Sequence, residues 1–385
     1  MLQIQQAVLD RINNLIVIIN KDCLIDYVSP SVEKSLGYSK EELMGEGWWM
    51  KTRDHEHERV IVRNEINELL SSSVESTYLK SERKLKGANG ISRWIEWNIS
   101  KGPENSIISI GYDITERKNV EFSLIDKNSN LLKIHHELTD SLEYAKNIQQ
   151  STLPELGDFK AYFDDVFVYY APKNIVSGDF YWFKSIENKA YFSVIDCTGH
   201  GVPGALMTMI VNSLLKEIIV KRGETNLEDI LYLLDEEMTY QLSGNSSQSL
   251  NDGMDLALCS FDKTTRLLNY SGAMRPLWIV RNGTLIEHKA ARYPIGFYHG
   301  VEKTFECEEI QLYEGDVIYL FSDGYIDQFG GEKNKKFQKK RFIELLLSIQ
   351  DLELDEQTGF LEYAINNWRQ QNEQTDDIVV IGLRV

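Results

Sequence analysis

The sequence predicts an α+β protein with more than one domain. At 385 residues, the chain is longer than a typical single domain. Its first part has strand patterns, then helical patterns, then strand patterns again, which is the order expected of an α+β fold. A central segment lacks both glycine and proline. The second part places aspartates where strand patterns meet turns, which indicates a functional site there.

The N-terminal segment begins with a predicted β-hairpin. Two apolar runs, Leu15–Ile19 and Leu24–Val28, flank the turn residues 20–22. A helical pattern follows over Ser31–Tyr38, and Ser39 and Glu42 then form a capping-box pattern that starts another helix. Three further strands are predicted, at Tyr78–Lys86, Ser92–Ser100 and Ser106–Tyr112.

The segment from Glu116 to about Ser151 is predicted to be one helix. Apolar residues recur in it every seven positions, although Lys127 and Ser141 interrupt the companion positions. Two interpretations remain open: a short coiled coil that pairs two chains, and an amphipathic connector that packs on its own domain. The repeating residues are Leu124, Leu131, Leu138 and Ala145.

Four aspartates in the second half are candidate metal ligands. Each stands at a predicted junction of strand and turn, and they are too far apart in sequence to share one loop. Strand ends bring distant residues together, and carboxylate oxygens favour Mg²⁺ or Mn²⁺ over softer metals. The four residues are Asp179, Asp196, Asp323 and Asp376.

The same half contains two predicted helices, Val202–Val220 and Leu227–Leu242, followed by strands at Gly253–Asp262 and Arg266–Ser271. The first helix starts directly after the turn that follows Asp196. Its apolar residues at helical spacing are expected in the core: Leu206, Ile210, Leu214 and Ile218.

Composition excludes several other classes. The net charge of −18 and the pI near 4.9 argue against a nucleic-acid partner, which requires a basic surface. The four cysteines show no zinc or redox spacing. The most apolar segment, Ala205–Val220, is interrupted by polar residues, and the N-terminus lacks a secretion signal pattern. We therefore expect a cytoplasmic protein that does not span a membrane.

The four aspartate segments, in this order and each with its strand, resemble those of the PPM metal-dependent serine/threonine phosphatases, specifically the branch typified by stage II sporulation protein E. The resemblance covers residues 153–385 and implies an α-β-β-α sandwich. It further implies that two Mn²⁺ or Mg²⁺ ions activate a water that attacks phosphoserine or phosphothreonine. The implied substrate is a regulatory phosphoprotein such as an anti-sigma-factor antagonist. The implied ligands are Asp179, Asp196, Asp323, Asp376 and the backbone carbonyl of Cys197.

One departure keeps a second hypothesis open. Many relatives have an acid three positions after the first metal aspartate, where this chain has Trp182. A catalytically inactive scaffold that binds phosphoproteins is the alternative to an enzyme. Cys197 is not expected to be a nucleophile, because no phosphate-binding arginine accompanies it in its loop.

Three further positions have open roles. Asp252 and Asp255 either cap a turn and strand or support the metal ligands from outside. His200 either donates a proton to the leaving oxygen or holds the start of a helix. Arg275 either contacts phosphate or is an ordinary exposed arginine.

Residues 1–118 resemble a PAS sensor domain. The resemblance depends on Asn20-Lys21-Asp22, on Leu36-Gly37-Tyr38 and above all on the closing segment Gly111–Lys118. It implies one sheet around a small pocket whose ligand, if any, is unknown. The segment Ala145–Pro154 resembles the junction by which similar phosphatases attach a sensor. Residues 119–152 are therefore predicted to be a linker that joins a homodimer and transmits a signal to the phosphatase domain.

Overall fold

The computed structural model describes residues 13–72, 78–242, 252–296 and 302–385. The chain divides into two compact units, Met1–His135 and His136–Val385. The division falls inside a single helix, Thr115–Gln150. The domain boundaries predicted from the sequence, with a linker at 119–152, stay a prediction.

The first unit contains a five-stranded antiparallel sheet in the order β2-β1-β5-β4-β3. Its buried residues alternate along the strands, as in β4, where Ile95, Trp97 and Ile99 face the core. The predicted hairpin and the three later strands are confirmed. The strands are β1 (Leu15–Ile19), β2 (Ile25–Val28), β3 (Tyr78–Lys86), β4 (Ser92–Lys101) and β5 (Ile107–Asp113).

Helices between β2 and β3 cover one face of this sheet and enclose a core that contains Trp48 and Trp49. The predicted capping box is present, because the Ser39 hydroxyl accepts from the Glu42 N–H and the Glu42 carboxylate accepts from the Ser39 N–H. A 3₁₀ turn, Pro103–Asn105, precedes β5. The helices are Pro30–Leu36, Lys40–Leu43, Gly47–Lys51 and Glu56–Ser71.

The helix predicted from Glu116 to about Ser151 is present as the 36-residue helix Thr115–Gln150. Leu124, Leu131 and Leu138 on its seven-residue repeat are 57 to 65% exposed. Gln149, in contrast, is buried. These three leucines are therefore exposed among the described residues, and pairing of two such helices stays a prediction.

The second unit consists of two five-stranded antiparallel sheets packed face to face. Their orders are β13-β10-β9-β8-β7 and β12-β11-β14-β17-β6. Phe192 and Ala257 from the first sheet meet Ile279 and Ile381 from the second in one core. The strands are β6 (Asp165–Ala171), β7 (Asp179–Ile186), β8 (Lys189–Cys197), β9 (Met254–Asp262), β10 (Leu267–Ala273), β11 (Leu277–Arg281), β12 (Thr284–His288), β13 (Glu308–Gln311), β14 (Val317–Phe321) and β17 (Ile378–Arg384).

Helices cover the outer face of each sheet. Val202–Leu215, continued by a π-helical turn at Lys216–Lys221, and Leu227–Leu242 pack on the first sheet. Lys339–Ile349 and Leu354–Arg369 pack on the second. The layers are therefore helix, sheet, sheet and helix. Smaller elements are the helices Leu156–Lys160 and Gly324–Asp327 and the hairpin of β15 (Phe329–Gly330) with β16 (Lys335–Lys336).

The prediction of which residues of the helix after Asp196 face the core is partly wrong. Leu214 and Ile218 are buried, but Leu206 is 62% exposed and Ile210 is only partly buried. At the start of the helix, Gly204 and Met207 face inward instead. The reason is that this first turn packs on the backbone of the preceding loops, which admit only a small side chain.

The stretch Val202–Lys221 is also long and apolar enough to cross a membrane by length and composition. Half of it is buried inside the folded unit, and its buried residues belong to the core against the first sheet. Core helices of folded domains often have the same length and composition, so this stretch is only weak evidence for a membrane span.

Candidate metal centre

Three carboxylates lie side by side across the first sheet. Asp179 is directly opposite Asp196 in the β7–β8 register, and Asp196 is directly opposite Asp255 in the β8–β9 register. Asp179 is the first residue of β7, after a turn, whereas Asp196 lies near the end of β8, before a turn. Like charges opposite each other destabilise a sheet. Such an arrangement therefore indicates a site built for a cation.

The second sheet contributes Asp323 and Asp376 from neighbouring strands. Asp323 follows β14, Asp376 precedes β17, and these two strands are paired. Asp376 is half-buried, and its pKa is raised by burial and by the negative charges of Asp323 and Asp377, among other effects. All four predicted aspartates thus stand at strand ends, as the sequence indicated.

Arg275 joins the acidic residues of the two sheets. Its Nη2 atom lies 2.6 Å from Asp196 Oδ2, 2.8 Å from Asp323 Oδ2 and 3.1 Å from Asp255 Oδ2. Arg275 is 9% exposed, so the interpretation as an ordinary exposed arginine is wrong. One cationic group therefore stands at the meeting point of three carboxylates.

The electrostatics of the site favour added positive charge. Burial, together with the nearby Asp196 carboxylate, raises the pKa of Asp179 well above its usual value. Burial also raises the pKa of Asp196 to about 7 and that of Asp255 to about 6, although the Arg275 charge opposes both shifts. Burial alone would lower the pKa of Arg275, but the surrounding carboxylates raise it. The folded protein thus disfavours the ionised carboxylates unless a cation is present.

The donor set fits divalent cations chemically. Asp179 Oδ2 is buried and has no hydrogen-bond partner in the described structure. The other available donors are carboxylate oxygens, which Mg²⁺ and Mn²⁺ prefer. As the side chains stand, no three histidine, cysteine, aspartate or glutamate side chains within the described ranges form a metal-binding group. Arg275 contacts Oδ2 of two candidate ligands, Asp196 and Asp323, so it competes with a cation for these two oxygens.

The loop before Asp179 is held by Asp377, a residue that the sequence analysis did not single out. The Lys173 N–H donates to Asp377 Oδ1 at 2.6 Å, and the Gly178 N–H donates to Asp377 Oδ2 at 2.7 Å. Asp377 is 1% exposed. Its position directly after Asp376 was the available signal. Asp377 thus fixes the loop backbone, whereas Asp376 Oδ1 accepts from the Asp377 N–H at 2.9 Å.

Gln149 holds the same loop from the other side. Its Nε2 donates to the Ser177 carbonyl at 2.7 Å and to Thr208 Oγ1 at 2.9 Å, and its Oε1 accepts from the Ser177 N–H at 3.1 Å. The Ser177 hydroxyl in turn accepts from the Asp179 N–H. A side chain near the end of the helix Thr115–Gln150 is thus two hydrogen bonds from Asp179.

The remaining predicted residues also lie around this loop. The Cys197 carbonyl is 3.4 Å from where a Cβ on Gly178 would stand. Burial raises the pKa of the Cys197 thiol, which agrees with a residue that is not a nucleophile. His200 is exposed, and its Nδ1 is 3.0 Å from Asn174 Oδ1. Trp182 is 2% exposed and packs in the core between the first sheet and its helices.

We predict that Arg275→Ala destabilises the cation-free protein and strengthens Mn²⁺ binding. The substitution leaves three carboxylates without their shared partner, which costs about 2 kcal/mol. It also removes a competitor for the site, so the Mn²⁺ dissociation constant should fall about tenfold. Thermal unfolding in chelator and calorimetric titration with Mn²⁺ measure the two effects.

Arg281→Ala is the matched control for this substitution. Arg281 pairs with the buried Asp316 at 2.6 Å on strand β11 and contacts none of the candidate ligands. The Arg281→Ala substitution should lower the stability of the protein and leave its Mn²⁺ affinity unchanged. Unchanged Mn²⁺ affinity in Arg275→Ala would show that Arg275 does not compete with the metal.

Comparison with known proteins gives the family. The family model of stage II sporulation protein E (SpoIIE) matches residues 187–385. The chain belongs to the SpoIIE family. Asp196, Asp323 and Asp376 lie inside the matched SpoIIE region, and Asp179 lies just before it. The family predicted from the sequence is confirmed, and with it a phosphatase domain of the PPM class.

Two further proteins are similar to this chain. The phosphoserine phosphatase RsbP of Bacillus subtilis (strain 168) is 27% identical over 190 residues, which are 48% of this chain and 45% of RsbP. The SiaA-PP2C domain of Pseudomonas aeruginosa is 31% identical, with a TM-score of 0.60 over 66% of this chain and 98% of that domain. The chain thus spans less than half of RsbP and nearly all of the SiaA domain. These matches support the predicted enzyme class, a phosphoprotein phosphatase.

Proposed function

We propose that this protein is a metal-dependent serine/threonine phosphatase that acts on a regulatory phosphoprotein. The observation that carries the proposal is the convergence of Asp196, Asp255 and Asp323, from two sheets, on the single Arg275 nitrogen. A site that already gathers a cation with three carboxylates is suited to divalent ions. Membership of the SpoIIE family supports the same chemistry.

The proposed ligands are Asp179, Asp196, Asp323 and Asp376, with the Cys197 carbonyl. Two Mn²⁺ or Mg²⁺ ions held there would lower the pKa of a water and neutralise phosphoryl oxygens. The chain itself positions the ligands: Asp377 and Gln149 fix the loop before Asp179, and β-sheet register places Asp179 opposite Asp196. Arg275, which lies beside these ligands, would pair with a substrate phosphate.

The proposed substrate is phosphoserine or phosphothreonine on a protein such as an anti-sigma-factor antagonist. Support comes from RsbP, whose name describes a phosphoserine phosphatase. Manganese-dependent release of phosphate from an aryl phosphate tests the chemistry, and parallel assays with phosphoserine and phosphotyrosine peptides test the class. No release above the chelator control would favour a binding scaffold and overturn the proposal.

We further propose that residues 1–118 are a PAS sensor that regulates the phosphatase through the helix at 119–152, in a cytoplasmic homodimer. One five-stranded antiparallel sheet around a small cavity supports the sensor assignment. The exposed leucines at seven-residue spacing support dimerisation through the helix. The contacts of Gln149 with Ser177 supply a path from this helix to Asp179.

We predict that Gln149→Ala lowers phosphatase turnover at least tenfold at saturating Mn²⁺. The substitution leaves the buried Ser177 N–H and carbonyl without their partner, which costs about 1–3 kcal/mol and loosens the loop before Asp179. Gln150→Ala is the control, because this neighbouring glutamine is exposed. Measured turnover equal in the two variants would remove Gln149 from the proposed path.

A further inference from the structure

The first unit has a small, partly open cavity beside its sheet. Trp48, Trp49 and Trp97 line it together with two arginines, Arg53 and Arg83. Trp48 and Trp97 meet edge to face, with ring centroids 5.8 Å apart. The remaining walls are mostly aliphatic side chains of β1, β4 and the helix Glu56–Ser71. The cavity lining is thus apolar and aromatic except at Arg53, Arg83, Glu65, Ser81 and Ser109.

Arg53 is buried in this wall without a carboxylate partner. It is 7% exposed, and none of the ion pairs among the described residues involves it. Its Nη1 donates to Thr52 Oγ1 at 3.2 Å, and its guanidinium lies 5.2 Å from the centre of the Trp49 ring. These contacts compensate only part of the cost of burying a cation. Burial and the nearby Arg83 charge lower the pKa of Arg53 to about 10.

The acid that lines the cavity is already engaged. Both Glu65 oxygens accept from Arg83 Nη2, at 2.8 and 2.6 Å. The cavity lining therefore carries two guanidinium groups and one carboxylate. The negative charge of Glu58, outside the lining, also acts on Arg53, but the two form no ion pair in the described part of the chain. An anion is the group that the Arg53 charge would attract.

We propose that the cavity binds a small carboxylate anion whose charged end pairs with Arg53 and whose short apolar part contacts the tryptophans. A guanidinium offers two parallel N–H donors that match the two oxygens of a carboxylate. The cavity volume is about 30 Å³, and about 10–15 Å³ is enough for one water molecule. The occupant therefore has only a few heavy atoms, in the size range of acetate or propionate.

The test uses the full-length protein and a readout that does not depend on phosphatase activity. Propionate is titrated while tryptophan fluorescence and heat of binding are recorded, with neutral propionamide as the matched ligand. We expect saturable binding of propionate and at least tenfold weaker binding of propionamide. Absence of saturable propionate binding would overturn the proposal, as would equal binding of the two ligands.

Two variants locate the bound anion. Arg53→Met should weaken propionate binding at least tenfold while raising the melting temperature of the ligand-free protein, because an unpaired buried charge is removed. Arg93→Met is the control, since Arg93 is a more exposed arginine that pairs with Asp113 at 2.9 Å. The Arg93→Met variant should bind propionate with the same affinity as the unmodified protein. Unaltered binding by Arg53→Met would place the anion elsewhere and overturn the proposal. Chloride that displaces propionate at equal concentration would overturn the assignment to carboxylates.

Discussion

Asp196→Asn and Asp323→Asn should each lower Mn²⁺-dependent phosphatase activity at least about 1,000-fold. Each substitution removes a negative charge from the proposed ligand set, on a different sheet. Loss of metal-based stabilisation worth about 4 kcal/mol corresponds to this factor. Hydrolysis of an aryl phosphate over a range of Mn²⁺ concentrations measures it, because excess metal rescues a defect of affinity but not one of chemistry.

The two variants should also bind Arg275 less strongly and remain folded. Thermal unfolding and circular dichroism confirm the fold, and Asp351→Asn, at an exposed position, controls for the change of residue type. Retention of more than a tenth of the activity in either variant would contradict its role as a metal ligand. A large fall in melting temperature would show that a variant loses activity because its fold is altered and not because a metal ligand is missing.

Gly204→Ala should destabilise the protein by about 3 kcal/mol and abolish most activity. A Cβ at this position would stand 2.2 Å from the Gly199 carbonyl oxygen and 2.7 Å from the Gly178 Cα. Backbone atoms cannot rotate away, so the helix Val202–Leu215 must separate from the loops beside Asp179 and Asp196. We expect the melting temperature to fall by about 6–12 °C.

Gly359→Ala is the matched control for Gly204→Ala. Gly359 also lies in a helix, Leu354–Arg369, but a Cβ there meets nothing within 4 Å. The same substitution should stabilise the protein by about 0.8–1.0 kcal/mol, because alanine favours a helix more than glycine does. Opposite shifts of melting temperature are the expected result. A gain of stability in both variants would show that the contact of Gly204 with the loops is not tight.

Local patterns predicted most of the fold. The strand predicted at Ser92–Ser100 is present as β4, and the capping box at Ser39 marked a helix start that the structure confirms. Where prediction failed, packing between distant segments decided the outcome. Leu206 has the spacing of a core residue, yet it is exposed because Gly178 and Gly199 approach the helix at Gly204 instead.

The candidate site was predictable only in its charged positions. Aspartates at strand ends have a recognisable pattern, but which carboxylate holds the loop before Asp179 depends on contacts across about 200 residues. Asp377, Gln149 and the three ion pairs of Arg275 therefore appear only in the structure. The ligand roles of Asp179, Asp196, Cys197, Asp323 and Asp376 remain predictions.

The bonds from Asp377 to the loop before Asp179 have a consequence for folding kinetics. They join residues 204 and 199 positions apart in sequence. Contacts of such separation form slowly, because a long chain loses much entropy when its ends meet. During refolding, catalytic competence should thus appear after most secondary structure has formed, and a fragment that ends before β17 would lack it altogether.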